Sequence, residues 1–168
     1  NRLIAVGHRV VHGGVEFSEP TLVTEQVMAK LEKLVPLAPL HQPHNLTPIR
    51  LMLERRPELP QVACFDTAFH RAQPEVAQMF AIPRELHDAG VRRYGFHGLS
   101  YEYIASVLPR FDARAAAGKT VVLHLGNGAS MCAIKAGVSA ATRPAWPPVA
   151  TTRAPPPSSA TIRATMPP

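Results

Sequence analysis

Through the first 139 residues, apolar β-branched runs that close on a glycine turn or a single acid alternate with helical stretches bounded by proline. This alternation restricts the chain to an α/β fold. Leu3 to Val11 closes on Gly13-Gly14 and reads as a strand and turn. Thr24 is placed to cap a helix whose Val27, Leu31, Leu34 and Val35 share one face, and Pro36 stops it. Pro36 to Pro43 is expected as a stiff loop around His41, and Thr47-Pro48 as the opening of a second helix that ends before Pro57. Gln61 to Phe65 is a short apolar strand that delivers Asp66 at its end. Pro74 starts a brief helix that stops before Pro83, and a loop with Arg92, Arg93 and Tyr94 to Gly98 follows. Ser100 is expected to cap the helix carrying Tyr103, Ile104, Val107 and Leu108. Thr120 to Leu125 reads as a strand, Gly126-Asn127-Gly128 as a turn and Ser130 to Ala136 as the returning strand.

After Ser139 the pattern breaks. Residues 140–168 contain eight prolines, no glycine and no acid, and no apolar period. Such a composition does not bury a core and predicts a disordered tail, natural or produced by a shifted reading frame. The charge follows the same break. Residues 1–112 hold 12 acidic and 12 basic side chains, whereas residues 113–168 hold six basic ones and no acid, so the whole +6 comes from the last third. Those cations are scattered, with no basic run and no aromatic interleaving, which argues against a nucleic-acid partner. No run of 18 apolar residues offers a membrane span, and no leader begins at Asn1. Cys64 and Cys132 sit in apolar strands and read as buried free thiols of a reducing compartment. The chain lacks an initiator Met and is expected to be an excerpt of something longer.

Four segments carry the chemistry: Gly7 to Gly14, Phe65 to His70, Tyr94 to Gly98 and His124 to Ser130. Each sets an Arg, Asp or His beside glycines or at a strand end. Gly126-Asn127-Gly128 lets backbone N–H groups approach an anion, as in the strand–turn–strand phosphate loops of actin-like kinases. It lacks the Gly-Lys-Ser/Thr of a Walker loop and the third glycine of a dinucleotide fingerprint, and an ordinary hairpin uses the same residues. Arg9, in an apolar strand, suits either a structural ion pair or a planar fork for carboxylate or phosphate. Asp66, at the carboxyl end of a strand, suits orienting a nucleophile, acting as a base, holding Mg²⁺ through water, or capping the next turn. His97 suits a donor to charge developing on a phosphoryl group, or a structural role. The eight histidines have no metal-site spacing.

Taken together and in order, these segments resemble the acetate kinase family. Thr120 to Gly137 looks like that family's second signature along its length, and Leu37-Ala-Pro-Leu-His41 and Arg93 to Gly98 match as well. The resemblance covers residues 1 to about 139. It implies an actin-like, ribonuclease H-like ATPase fold, here incomplete: residues 1–72 would be the second half of the N-terminal domain, 73–139 the start of the C-terminal domain with its phosphate loop, and 140–168 the tail. It implies reversible phosphoryl transfer from ATP to acetate with Mg²⁺, in a cytoplasmic homodimer. By resemblance, Arg9 binds the acetate carboxylate and then the phosphoryl group, and Val11 and Leu40 line the pocket for the methyl. His41 matches an active-site histidine, Asp66 the residue assigned as proton donor or acceptor, and His97 the transition-state stabiliser. His124, Leu125, Gly126, Asn127 and Gly128 match the ATP phosphate loop. Acetate is already ionised at neutral pH, so Asp66 is expected to orient groups rather than remove a proton. The family's Mg²⁺ ligands are expected in segments that this sequence does not contain, as are its N-terminal Ser-rich turn, second catalytic arginine and adenosine pocket. Gln42, His44, Leu99 and Tyr101 depart from the family's usual residues, and past Ser139 the expected Thr/Ser-Met-Gly segment is replaced by Ala140 to Pro148. A propionate or butyrate kinase, with a roomier acyl pocket, and a degraded gene product without function are the alternatives.

Overall fold

The structure, a computed structural model, describes residues 3–144. Its first sheet comes from the opening 65 residues. β1 (Val6–Val10) lies parallel to β3 (Gln61–Phe65), with Val10 opposite Phe65, and β2 (Thr21–Leu22) pairs antiparallel on the other edge of β3. The inward residues of β1 and β3, Val10, Ala63 and Phe65, meet Met28 and Leu31 of α1 (Glu25–Glu32) and Leu46 and Ile49 of α2 (Gln42–Arg55). Thr24 caps α1 as expected, its Oγ1 accepting the Val27 N–H at 3.2 Å. By contrast, α2 opens at Gln42 rather than at Thr47-Pro48. Pro43 occupies its first turn, where no N–H is needed, and Pro48 sits inside it at the loss of one main-chain bond. Packing decides the earlier start. The Gln42 amide is buried, donates to the carbonyls of His12 (3.1 Å) and Leu31 (3.3 Å), and accepts the His12 N–H (3.2 Å).

Beyond β3 a 3-10 turn (Ala68–Ala72) leads to α3 (Glu75–Gln78) and to α4 (Arg84–Asp88), which the Pro83 boundary had hidden. Then α5 (Gly98–Val107) begins two residues before Ser100, with His97 in the cap position at φ 60°. α6 (Ala113–Ala117) follows, capped by Asp112. The second sheet is an antiparallel meander of β4 (Lys119–Leu125), β5 (Ala129–Lys135) and β6 (Val138–Pro144), in that order. Tyr101 of α5 and Cys132 and Ile134 of β5 form its core with Phe69, Ala105 and Val122. Both cysteines are free.

β6 corrects the boundary drawn at residue 139. Residues 140–144, expected to open the disordered tail, continue the strand opposite Ser130 to Ala133. Ser139 and Thr142 are buried, and the Thr142 hydroxyl donates to the Met131 carbonyl at 3.0 Å. A short edge strand needs only a partner and inward groups that are satisfied, and the average composition of 29 residues conceals the four, Ala141 to Pro144, that find partners on β5. The rest of the predicted tail, residues 145–168, lies outside the described residues.

Candidate functional site

The two sheets meet where the parallel pair ends. Past Phe65 the chain makes one further bond to β1, from the Asp66 N–H to the Val10 carbonyl at 3.0 Å, which places Asp66 at the carboxyl end of both strands. The Asp66 carbonyl then accepts the Gly98 N–H at 2.9 Å, joining the first sheet to the start of α5. Only glycine fits there: a Cβ on residue 98 would lie 2.2 Å from the Asp66 carbonyl oxygen. The Asp66 side chain is almost fully buried, and Arg9 of β1 grips it with two donors, Nε to Oδ1 at 3.3 Å and an Nη to Oδ2 at 2.5 Å. The Arg9 side chain is 59 % exposed and lines the open cavity, and two donors to Asp66 leave further N–H groups of its guanidinium uncommitted. Of the two readings left open for Arg9, the ion pair is formed, and the fork stays available beyond it.

Across from this pair stand two imidazoles. The rings of His97 and His124 stack at 4.1 Å with an interplanar angle of 18°. His124 projects from β4 and its Nδ1 meets the Ser100 hydroxyl at 3.1 Å. His97 reaches over the β4–β5 turn, and a Cβ on Gly128 would sit 3.4 Å from its Nε2. Burial lowers the pKa of His97 below the ordinary value, and the nearby His124 and Arg9 lower it further while Asp66 raises it. The ring is therefore uncharged at neutral pH, a hydrogen-bond donor at one nitrogen and an acceptor at the other. Arg9, Asp66, His97, Leu99, Ser100, His124 and Gly128 enclose an open cavity of about 390 Å³.

Behind the cavity a buried layer holds the loop at residues 94–97. His70 donates from Nε2 to the Phe96 carbonyl at 3.0 Å, which leaves its Nδ1 to accept from Ser139 of β6 at 2.9 Å. Gln73 bonds the same Ser139 hydroxyl at 2.8 Å. Gly95 lies against His70 and Thr142 with no room for a side chain. His12, fully buried, accepts the Gly14 N–H at Nδ1 (2.9 Å) and meets the Tyr94 ring edge-on at 4.4 Å. Burial pushes its pKa down to about 4.

Of the residues singled out from sequence, Arg9, Asp66, His97, His124 and Gly128 come together around one cavity. Gly126 lies beside the His124 ring, while Leu125 is 77 % exposed, and neither it nor Asn127 lines the cavity. Val11 is buried behind the site, its N–H donating to Asn45 Oδ1 at 2.9 Å. Leu40 is 75 % exposed and His41 is exposed at the start of α2, so neither reaches the cavity. Sequence reasoning missed Leu99, Ser100, Ser130, Tyr101 and His70. Ser100 had been read as a helix cap, and nothing in residue spacing relates His70 to a loop 26 residues on. A bound Mg²⁺ does not fit the residues present. The cavity holds one carboxylate, both of whose oxygens are engaged by Arg9, and among the described residues no three His, Cys, Asp or Glu side chains could hold a metal.

Comparison with known proteins gives concordant results. The sequence profile of the acetokinase family matches residues 1–151, twelve residues beyond the extent inferred from motifs. An acetate kinase of Nitrobacter hamburgensis is 60% identical over 136 residues, which are 81% of this chain and 34% of that enzyme. Among solved structures, a propionate kinase from Francisella tularensis superposes with a TM-score of 0.78 at 42% identity, over 84% of this chain and 37% of that one. The Porphyromonas gingivalis acetate kinase superposes with a TM-score of 0.74 at 41% identity, over 83% of this chain and 35% of that one. The chain thus spans about a third of the length of the curated relatives it matches.

Proposed function

This chain belongs to the acetokinase family and carries part of its actin-like fold, and on that premise we propose that it supplies the acyl-phosphate side of an acetate kinase site. The reaction is reversible phosphoryl transfer from ATP to acetate. A carboxylate oxygen forms a bond to the γ-phosphorus, the bond from that phosphorus to the bridging oxygen breaks, and ADP leaves with the electron pair. No proton has to be removed from acetate at neutral pH. Mg²⁺ would neutralise charge on the nucleotide phosphates when bound, held by parts of the full-length protein outside this chain. Asp66 keeps the Arg9 fork pointing at the reacting groups. The free N–H groups of Arg9 hold the acetate carboxylate and then the phosphoryl oxygens, a planar match that favours the transition state. His97 donates to a phosphoryl oxygen, and the backbone from His124 to Gly128 receives the ATP phosphates. Val11, Leu40 and His41 would take up their places beside the substrate methyl and carboxylate only in the complete protein. That protein would be a cytoplasmic homodimer, with residues 1–72 in its N-terminal domain and the segment from residue 73 opening its C-terminal domain.

The observation that carries this reading is the convergence of Arg9, Asp66, His97 and the glycine turn on one cavity, from segments as much as 119 residues apart in sequence. Superposition on the Francisella propionate kinase supports the neighbouring reading, a kinase for a longer acid on the same machinery. Both are tested by assaying the full-length protein with ATP and acetate, propionate or butyrate. Highest kcat/KM for acetate is expected. A preference for propionate moves the reading to the alternative, and no acyl phosphate from any of the three acids removes it.

A further inference from the structure

Resting on the role given to His97 above, one contact on its far side remains unexplained. Its Nδ1 lies 2.8 Å from Ser130 Oγ, and that oxygen lies 2.5 Å from the Tyr101 hydroxyl. Tyr101 is fully buried and Ser130 nearly so, so the chain of three groups runs from the core of the second sheet to the wall of the cavity. We propose that Ser130, braced by Tyr101, is a positioning residue that fixes the tautomer of His97, so that Nε2 carries the proton presented at the Gly126–Gly128 turn.

The polarity follows from the donors. A serine hydroxyl has one proton and can accept as well as donate. A phenol is the stronger donor of the two hydroxyls, and burial raises the Tyr101 pKa, against the pull of the Ser130 bond, so the phenol keeps its proton. Tyr101 therefore donates to Ser130, and the Ser130 proton goes to His97 Nδ1. A neutral imidazole that accepts at Nδ1 carries its hydrogen at Nε2. The opposite polarity would aim an Nε2 lone pair at an incoming phosphoryl oxygen. The ring is also held in place. Flipping it would forfeit the Ser130 bond, His124 stacks flat against one face, and the His70 bond to Phe96 anchors the backbone before it. Both relay residues sit on regular elements packed into one core, Tyr101 on α5 and Ser130 on β5, which suits a part that must not move.

The test is the tautomer itself, read on the 168-residue chain with ¹⁵N-labelled histidine and long-range ¹H–¹⁵N correlation above pH 7.5. Wild type is expected to show His97 protonated at Nε2 alone. Ser130→Ala should lower the ratio of the Nε2–H to the Nδ1–H form roughly five-fold, the effect of one neutral hydrogen bond. Tyr101→Phe, which removes a single oxygen, should shift it the same way by less. A wild-type proton on Nδ1 overturns the proposal, as does a ratio unchanged in both variants, or histidine signals typical of an unstructured chain. Because no turnover is measured, loss of the kinase reading leaves this result standing, and the reverse holds too.

Discussion

At the residue scale, the Arg9–Asp66 pair governs how substitutions must be chosen. Asp66 is 2 % exposed and among the described residues its one cationic partner is Arg9, so Arg9→Ala strands a buried carboxylate as well as removing a donor. That variant should lose both melting temperature and rate. Arg9→Lys keeps a charge beside Asp66 but lacks the planar fork. In the full-length enzyme it should melt within a few degrees of wild type and still lose about 10²-fold in kcat, the order seen when one transition-state contact is removed. Normal kcat in folded Arg9→Lys would make Arg9 a structural partner and nothing more. His12 yields a pH prediction. Its imidazole is neutral in the fold down to about pH 4 but takes a proton near 6.5 when unfolded. Between those values the unfolded state binds more protons, so stability falls as pH drops from 6.5 toward 4, by about 3 kcal/mol in all. His12→Asn preserves an acceptor for the Gly14 N–H and should flatten that fall, measured as urea midpoints at pH 7 and pH 5. An identical fall in both proteins refutes it. Arg9, Asp66 and His97 were legible in the sequence because charged or polar groups stood at strand ends and glycine turns. His12, His70 and Ser130 were not, because burial and partner identity are set by contacts between distant segments.

Most elements were legible for local reasons. Thr24 capped the predicted helix, Gln61–Phe65 was found with its ends, and the β4–β5 hairpin closed on the predicted glycine turn. The errors share a cause. The start of α2, the start of α5 and β6 all depend on tertiary partners: Gln42 on His12 and Leu31, Gly98 on Asp66, Thr142 on Met131. Propensity is a weak prior against such contacts. For β6 this has a measurable consequence. A chain ended after Ser139 loses Ala140 to Pro144, bares the edge of β5 and removes Thr142 from its place against Gly95. A chain ended after Pro144 keeps all three. Several main-chain bonds worth about 1 kcal/mol each separate the two, so the shorter chain should be less stable by at least about 2 kcal/mol. Equal urea midpoints for the pair would show that β6 contributes nothing to the fold.

On the scale of the whole molecule, the acetokinase resemblance was legible because several motifs in a fixed order outweigh the ambiguity of each alone. The cavity was not, because it exists only where two sheets from separate parts of the chain meet through Asp66 and Gly98. That same geometry limits what this chain can do by itself. The cavity is open, the one carboxylate that the described residues give it is taken up by Arg9, and those residues include no group of three His, Cys, Asp or Glu side chains that could hold a metal. Leu40 and His41 stay outside it, and about two thirds of each relative's length has no counterpart here. Groups that stabilise one transition state act as a unit, and removing part of the set costs nearly as much as removing all of it. The purified 168-residue chain should therefore give no acetyl phosphate above a protein-free blank when supplied with ATP, acetate and Mg²⁺, with product trapped as the hydroxamate. The full-length protein, assayed beside it at equal molarity, should give abundant product. Turnover by the short chain, abolished by His97→Ala, would mean that Arg9, His97 and the Gly126–Gly128 turn suffice for transfer, and the dependence on the remaining two thirds would have to be abandoned.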